Sequence, residues 1–146
     1  MKIAIGSDHR GLDLKAAIMD MLAQEGYECR DCGAYTEESV DYPDIAAEAA
    51  RAVLEGDCMY GILICGTGIG MSIAANKVNG IRAALCHDLL DAHRAKGHNN
   101  ANIICLRGEI DDYGPTLDIV RAFLKSSFEG GRHQRRLDKI HEMEKC

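Results

Sequence analysis

The motif ICGTGIG at 64–70 places the thiol of Cys65 directly before three alternating glycines. Glycines in such a turn let backbone N–H groups point at one spot, and a helix that starts there adds the positive end of its dipole. A thiol beside these donors gains thiolate character, and a thiolate is a competent base or nucleophile. The motif therefore predicts an anion-binding turn with a reactive Cys65 and the hydroxyl of Thr67. The alternatives are a structural turn with Thr67 as a local cap, and a small buried cysteine.

A second polar motif, GHNNAN at 97–102, offers acid–base and hydrogen-bonding groups. An imidazole can both donate and accept a proton, so His98 suits a general acid or base. Asn99, Asn100 and Asn102 could donate amide hydrogen bonds to a sugar or an oxyanion. The alternatives are a solvated loop histidine and asparagines that only supply turn conformations.

A third motif, GGRHQRR at 130–136, concentrates positive charge after a flexible Gly-Gly pair. Arg132 and Arg136 are four residues apart and share one helix face, which suits bidentate binding of a phosphate monoester. A solvated charged helix is the alternative interpretation. An RNA-binding tail is less favoured, because the aromatic residues needed for base stacking are missing.

The histidines do not form a metal motif. His87 with His93, and His133 with His141, lack zinc spacing, and there is no H-E-x-x-H. Neither a metal nor a cofactor is therefore predicted. The remaining polar segment, DYPD at 41–44, places Asp41 as a helix cap and Tyr42 as a residue that could line a sugar pocket.

Short apolar runs alternate with segments of helical period along the whole chain. Such alternation predicts an α/β fold, a three-layer Rossmann-like arrangement in which helices flank a five-stranded parallel sheet. The expected strands are KIAIGSD, YECRDCG, GILIC, IRAALC and ANIICL, and GILIC is the central one. The expected helices cover 12–25, 43–55, 71–78, 89–96, 115–128 and a charged C-terminal segment.

Ligands of open parallel sheets gather beyond the carboxyl ends of the strands, near the point where strand order reverses. Asp8, His9, the turn after Cys65 and His87 all follow predicted strands. The chain is expected to form one domain, with an α/β core at 1–129 and a helical extension at 130–146. That extension is expected to reach outward from the core.

Composition excludes several function classes. The 146 residues carry a formal net charge of -6, which argues against a dedicated nucleic-acid surface. No apolar run is long enough to cross a membrane, and MKIAIGSDH turns polar too soon for a signal peptide, so a cytoplasmic location is expected. The seven cysteines are expected to be free thiols, and the pair Cys29 and Cys32 lies in a predicted strand rather than at a helix start.

Taken together, these motifs closely resemble the type B ribose-5-phosphate isomerases and the related galactose-6-phosphate isomerase subunits. The matching segments follow in order over nearly the whole chain: GSDH (6–9), DYPD (41–44), ILICGTGIGMSIAANKV (62–78), GIRAAL (80–85), GHNNANI (97–103) and EGGRHQRR (129–136). ICGTGIG followed by SIAANK, with HN and GGRH at fitting distances, is specific as a set. The resemblance implies a metal-free aldose–ketose isomerase that moves a proton between C1 and C2 through an enediolate.

The resemblance also implies roles for individual residues. Cys65 would remove the proton, and Thr67 and His98 would assist ring opening. The residues expected to hold the substrate's oxygens, hydroxyl groups and phosphate are Asp8, His9, Tyr42, Gly66, Gly68, Ile69, Gly70, Asn99, Arg132 and Arg136. Family members are homodimers or dimers of dimers with shared active sites, so the C-terminal helix would deliver its arginines to a neighbour's pocket.

Ribose 5-phosphate is the expected substrate, and a six-carbon sugar phosphate such as allose 6-phosphate or galactose 6-phosphate is the alternative. A non-catalytic sugar-phosphate-binding protein is less favoured, because binding alone would not require a base. Some positions depart from the family pattern near the phosphate site. Glu109 stands where members usually carry an arginine, Arg10 replaces a small or apolar residue, and Asn100 replaces an acidic one. Whether Arg107 compensates for Glu109 is left open.

Overall fold

A computed structural model describes residues 1–145, so the last residue of the predicted 130–146 extension lies outside the described part. Five parallel strands form one sheet in the order β2-β1-β3-β5-β4. They are β1 (Lys2–Ser7), β2 (Glu28–Asp31), β3 (Tyr60–Cys65), β4 (Ala83–Leu85) and β5 (Ile103–Arg107). The helices are α1 (Leu12–Gln24), α2 (Tyr42–Leu54), α3 (Ile69–Asn76), α4 (Leu89–Gly97), α5 (Gly114–Lys125) and α6 (Arg132–Met143).

Helices cover both faces of the sheet, which confirms the predicted three-layer α/β fold. One core cluster joins the sheet to α1, α4 and α5, and the other joins it to α2 and α3. Successive residues of β3 point to opposite faces, with Ile62 and Ile64 in the first cluster and Leu63 in the second. Because both faces are covered, β3 reads as a continuous apolar run and lies at the centre of the sheet, as predicted.

Strand order reverses between β1 and β3, since the chain proceeds from β1 to β2 on one side and to β3 on the other. Ser7 at the end of β1 is in register with Ile64 near the end of β3. A crevice is expected beyond the carboxyl ends of two such strands. The residues that follow them, at 8–10 and 66–70, are therefore brought to the same edge.

Helix α5 ends three residues earlier than the sequence predicted. Ser126 follows Lys125 in an extended conformation instead of the expected continuation to Phe128. Its hydroxyl donates to the carbonyl of Ala122 at 2.6 Å and lies 2.8 Å from Nδ1 of His93. The backbone N–H of Ser126 still donates to the Ala122 carbonyl at 3.1 Å, so the helical ladder ends at this residue, which periodicity alone does not reveal.

Helix α6 follows Gly130 and Gly131, whose φ angles of 71° and 56° suit glycine. Its Leu137 is only 3% exposed. Near its end, Glu144 accepts a hydrogen bond from the backbone N–H of Gly80 at 3.0 Å. The helix thus lies along the α3–β4 connection of its own chain. Within residues 1–145, no helix is both long and apolar enough to span a membrane.

Candidate active site

An open cleft of about 680 Å³ lies beyond the carboxyl ends of β1, β3 and β5. It is lined by eight of the residues that the sequence predicted for the site: Asp8, His9, Tyr42, Cys65, Gly66, Thr67, Ile69 and Gly70. The side chains of Arg10, Ser39, Ile73 and Glu109 complete the lining. The crevice expected at the reversal of strand order is therefore present, and most of the predicted residues face it.

Cys65 is the last residue of β3 and forms part of the cleft wall. It is only 5% exposed and belongs to an apolar cluster on one side, while its other side lines the cleft. The end of β3 is hydrogen-bonded to the residue that follows β5, because the N–H of Gly108 donates to the Cys65 carbonyl at 2.8 Å. The thiol is thus packed in place next to a cavity that a ligand can enter.

The glycine turn leads directly from Cys65 into α3. Gly68 has a φ of 83°, and a Cβ there would lie 3.1 Å from backbone atoms of Leu106, so conformation and space both favour glycine. The N-terminus of α3, with the backbone N–H groups of its first turn, consequently lies beside Cys65. Thr67 Oγ1 accepts the N–H of Ile69 at 3.2 Å, which agrees with local capping and leaves the hydroxyl hydrogen able to donate.

Asp8 and His9 enter the cleft from the turn after β1. Asp8 is 7% exposed, and its Oδ1 accepts the backbone N–H of Arg10 at 2.9 Å. The Asp8 N–H donates to the carbonyl of Ile64 at 2.9 Å, which ties this turn to β3. Nδ1 of His9 is buried and has no hydrogen-bond partner within residues 1–145.

Tyr42 closes the cleft from the first turn of α2. Its ring packs so tightly on Gly70 that a Cβ at that glycine would lie 2.6 Å from Cζ. The expectation that Asp41 caps this helix through its side chain is wrong. Asp41 occupies the capping position, but its side chain makes no cap hydrogen bond. Its backbone carbonyl instead accepts the N–H of Asp44 at 3.2 Å.

Glu109 and Arg10 form an ion pair at the cleft mouth, between Oε1 and Nη1. Both side chains lie over Gly66, whose Cβ, if present, would be 3.3 Å from Glu109 Oε1 and 3.5 Å from Arg10 Cδ. Arg107 does not line this cleft. It lies instead in a neighbouring hollow with His87, and its Nε donates to the Glu109 carbonyl at 3.1 Å.

Of the other predicted site residues, Gly68 lies in the glycine turn between two lining residues, whereas His98, Asn99, Arg132 and Arg136 do not line this cleft. His98 caps the end of α4 and precedes β5, which places it at the amino-terminal edge of the sheet. Cys65 lies at the carboxyl edge, at the end of a six-residue strand that is about 20 Å long. One copy of the chain therefore holds the predicted site in two separate halves.

The half around His98 contains an imidazole pair. The rings of His98 and His133 stack with centroids 4.1 Å apart and planes at 16°. Glu129 lies against both, with its carboxylate oxygens 3.6 Å from Nε2 of His98 and 3.7 Å from Nε2 of His133. Burial lowers the pKa of His133, and the neighbouring charges of His98, Arg132 and Arg136 act in the same direction, whereas Glu129 raises it.

His98, Glu129 and His133 also bring three potential metal-ligand atoms within 4.8 Å of one another. The stacked rings keep the in-plane lone pairs of the two imidazoles in nearly parallel planes, so the lone pairs do not converge on one point. Two arginines, Arg132 and Arg136, contribute positive charge at His133. This arrangement suits a proton or an anion better than a metal cation.

Comparison with known proteins identifies the family. A family model described as Ribose/Galactose Isomerase matches residues 3–140. The chain belongs to the ribose/galactose isomerase family. It is 52% identical to the solved ribose-5-phosphate isomerase B of Clostridium thermocellum, with a TM-score of 0.97 over 99% of this chain and 98% of that one. The predicted family and fold class are thereby confirmed.

Two curated relatives extend the comparison. Ribose-5-phosphate isomerase B of Escherichia coli strain K12 is 43% identical over 143 residues, which cover 98% of this chain and 96% of the relative. D-erythrulose-4-phosphate isomerase of Pectobacterium atrosepticum is 47% identical over 143 residues, which cover 96% and 93%. The chain is therefore an aldose–ketose isomerase, and the relatives' names differ in the sugar.

Some residues of the cleft and of the half around His98 were not singled out from the sequence. Ser39 and Ile73 line the cleft, but each is an ordinary residue whose place depends on how α2 and α3 pack. Glu129 is held beside His98, since its N–H donates to the Gly97 carbonyl at 3.0 Å. A Cβ at Gly97 would lie 2.8 Å from Glu129 Oε2. The glycine at the last position of α4 is the feature of the sequence that could have indicated this close approach.

Proposed function

We propose that the chain interconverts D-ribose 5-phosphate and D-ribulose 5-phosphate, with Cys65 as the base. The observation that carries the proposal is the position of Cys65 in the wall of a cleft at the reversal of strand order, beside the start of α3. Burial holds Cys65 in place, and the cleft that this residue lines gives a sugar carbon room to approach it. A base must reach its proton at hydrogen-bonding range, so this placement is the first requirement.

In the proposed reaction, the Cys65 thiolate takes the proton from C2 of the open-chain aldose and returns it to C1. The hydroxyl proton on O2 moves to O1 by way of Asp8, so the sugar is isomerised without net oxidation. The enediolate formed between these steps carries negative charge on oxygen. The glycine turn and the start of α3 supply fixed donors beside that charge, which is where such donors lower the barrier most. Thr67 can donate its hydroxyl hydrogen.

A second copy of the chain is proposed to complete the site. His98, Asn99, Arg132 and Arg136 lie at the amino-terminal edge of the sheet, away from the cleft of their own chain. In a homodimer, or a dimer of dimers, a partner's His98 would assist ring opening and its Asn99 would hold an enediolate oxygen. The partner's two arginines would join His9 in binding the phosphate. A cytoplasmic location stays a prediction.

Purified protein assayed with ribose 5-phosphate tests this function. Turnover is expected to persist with excess chelator and to fall by at least about 1000-fold in Cys65→Ala, because the base is removed. Binding of ribose 5-phosphate should persist in that variant. Cys58→Ala is the matched control, since Cys58 is also buried, at 2% exposure, but does not line the cleft. Retained activity in Cys65→Ala would exclude Cys65 as the base.

The identity of the sugar is tested by a panel of substrates. Ribose 5-phosphate is the leading candidate, and erythrulose 4-phosphate enters the panel because a relative that is 47% identical carries that activity in its name. Allose 6-phosphate and galactose 6-phosphate represent the six-carbon alternative. The substrate with the highest kcat/KM is the assignment, since discrimination between substrates is a difference in transition-state binding. Binding without turnover of any of them would favour a sugar-phosphate-binding protein.

A further inference from the structure

We propose that Arg10 is a phosphate ligand of the cleft and that Glu109 is its exchangeable counter-ion in the unliganded enzyme. The substrate's phosphate would displace the Glu109 carboxylate from the Arg10 guanidinium on binding. This inference rests on the proposed function, because it names a further residue for the same substrate. It concerns a pair whose two members come from different turns, after β1 and after β5.

The geometry places this pair inside the cleft. Arg10 and Glu109 both line it, and both lie over Gly66, the residue that follows Cys65. Arg10 is adjacent in sequence to His9, which also lines the cleft. A phosphate held between the His9 imidazole and the Arg10 guanidinium would therefore keep the sugar chain directed along the glycine turn.

The backbones of Arg10 and Glu109 are held by hydrogen bonds, whereas their charged side chains are exposed to water. The N–H of Arg10 is held by Asp8 Oδ1 at 2.9 Å, and the N–H of Glu109 donates to the Gly66 carbonyl at 3.2 Å. The side chains themselves are 59% and 44% exposed. An ion pair at such exposure contributes little net free energy, because water screens it, so an incoming anion can replace one partner.

Charge balance favours phosphate as that anion. Arg10 is the one arginine or lysine among the described residues that line the cleft. A phosphate dianion can accept two parallel hydrogen bonds from a guanidinium and carries more charge than a carboxylate. Glu109 neutralises Arg10 and must leave it when phosphate binds, so the carboxylate is expected to weaken phosphate binding. Removal of its charge should then strengthen binding.

Calorimetric titration of the full chain with inorganic phosphate tests this directly. Arg10→Ala should weaken phosphate binding by about tenfold, the loss expected for one charge-assisted contact. Glu109→Gln should strengthen it by about threefold, and the double variant should behave like Arg10→Ala alone. Arg121→Ala and Glu25→Gln are matched controls, because Arg121 Nε and Glu25 Oε2 form an exposed pair 3.1 Å apart outside the cleft.

The isomerase assay separates this inference from the proposed function. Arg10→Ala should raise KM for the sugar phosphate by about tenfold and change kcat by less than about twofold. Turnover of a sugar phosphate, with unchanged KM and phosphate affinity in both variants, would refute the exchange and leave the function standing. If the phosphate affinities follow the predicted pattern but no sugar phosphate is turned over, the exchange is supported and the proposed function is refuted. Weaker substrate binding in Glu109→Gln would also refute the exchange, since it would make Glu109 a ligand of the sugar.

Discussion

The ring of Tyr42 rests directly on the backbone of Gly70, with no room for a Cβ between them. Gly70→Ala is therefore expected to push the ring into the cleft or away from it, and to lower kcat/KM by about tenfold or more. Stability should change little, because Tyr42 is 38% exposed and can move. Steady-state kinetics and thermal unfolding measure the two effects.

A double-mutant cycle checks the cause of that loss. In a Tyr42→Ala background the ring is absent, so Gly70→Ala should cost less than about threefold in kcat/KM. An equal cost in both backgrounds would mean that Gly70 acts through its own backbone rather than through Tyr42.

Subunit mixing tests the proposal that a site is shared between two chains. Cys65→Ala and His98→Ala should each be inactive alone, because each homodimer lacks one group at both sites. Mixed and allowed to exchange subunits, they should recover roughly a quarter of the wild-type activity, since half of the dimers then contain one intact site.

The control for subunit mixing is a mixture of Cys65→Ala with Thr67→Val. Both residues line the same cleft, so their heterodimers contain no intact site and no recovery is expected. Recovery in this control, or none in the first mixture, would contradict sharing of the site between Cys65 and His98.

Lys96 gives a prediction about pH and stability. It is 2% exposed, its Nζ lies 3.4 Å from the centre of the Tyr60 ring, and burial lowers its pKa to about 8. The unfolded chain binds this proton up to about pH 10.4. The unfolded state therefore holds more protons between these two values, and the contribution of Lys96 to stability should rise with pH across that interval.

Lys96→Met should consequently stabilise the fold at pH 7, by roughly 1–2 kcal/mol after allowance for the lost cation–π contact. The gain should shrink as the pH is raised from 8 towards 10. Urea unfolding at each pH measures it. Lys15→Met is the matched control and should destabilise, because Lys15 is equally buried but bonds Asp31 at 2.7 Å. A gain that is independent of pH would contradict the assignment to Lys96 ionisation.

His133 gives a spectroscopic prediction. Burial and the charges of His98 and two arginines lower its pKa, while Glu129 opposes them. NMR titration should place the His133 transition below the ordinary value of about 6.5, and Glu129→Gln should move it lower still. Glu142→Gln is the control, because that carboxylate is exposed and pairs with Lys145 instead. A shift upward in Glu129→Gln would contradict the role given to Glu129.

Local patterns were sufficient for much of the fold. The continuous apolar run of β3 indicated burial on both faces, and the glycines after Cys65 indicated a tight turn before a helix; both follow from periodicity and backbone sterics. The end of α5 was missed, because the apolar period continues to Phe128 while the backbone already becomes extended at Ser126.

The candidate site was only partly predictable, because parts of it depend on which strand ends meet. Arg10 and Glu109 are far apart in sequence, and each alone is an ordinary surface charge; their pairing follows from the placement of β5 beside β3. The motifs around Cys65 and His98 were predicted to act together. Only the direction of the strands shows that they occupy opposite edges of one sheet.

Helix α6 contacts the rest of the chain near both of its ends, and this links distant parts of the molecule. Its first turn carries His133, which stacks on His98, and Glu144, just beyond its last turn, is bonded to Gly80. A 12-residue helix is a stiff rod about 18 Å long. We therefore expect a substitution that tilts this helix at the Gly80 contact to reorient the imidazole of His98 from a distance, and through it to act on the role proposed for His98 in the reaction.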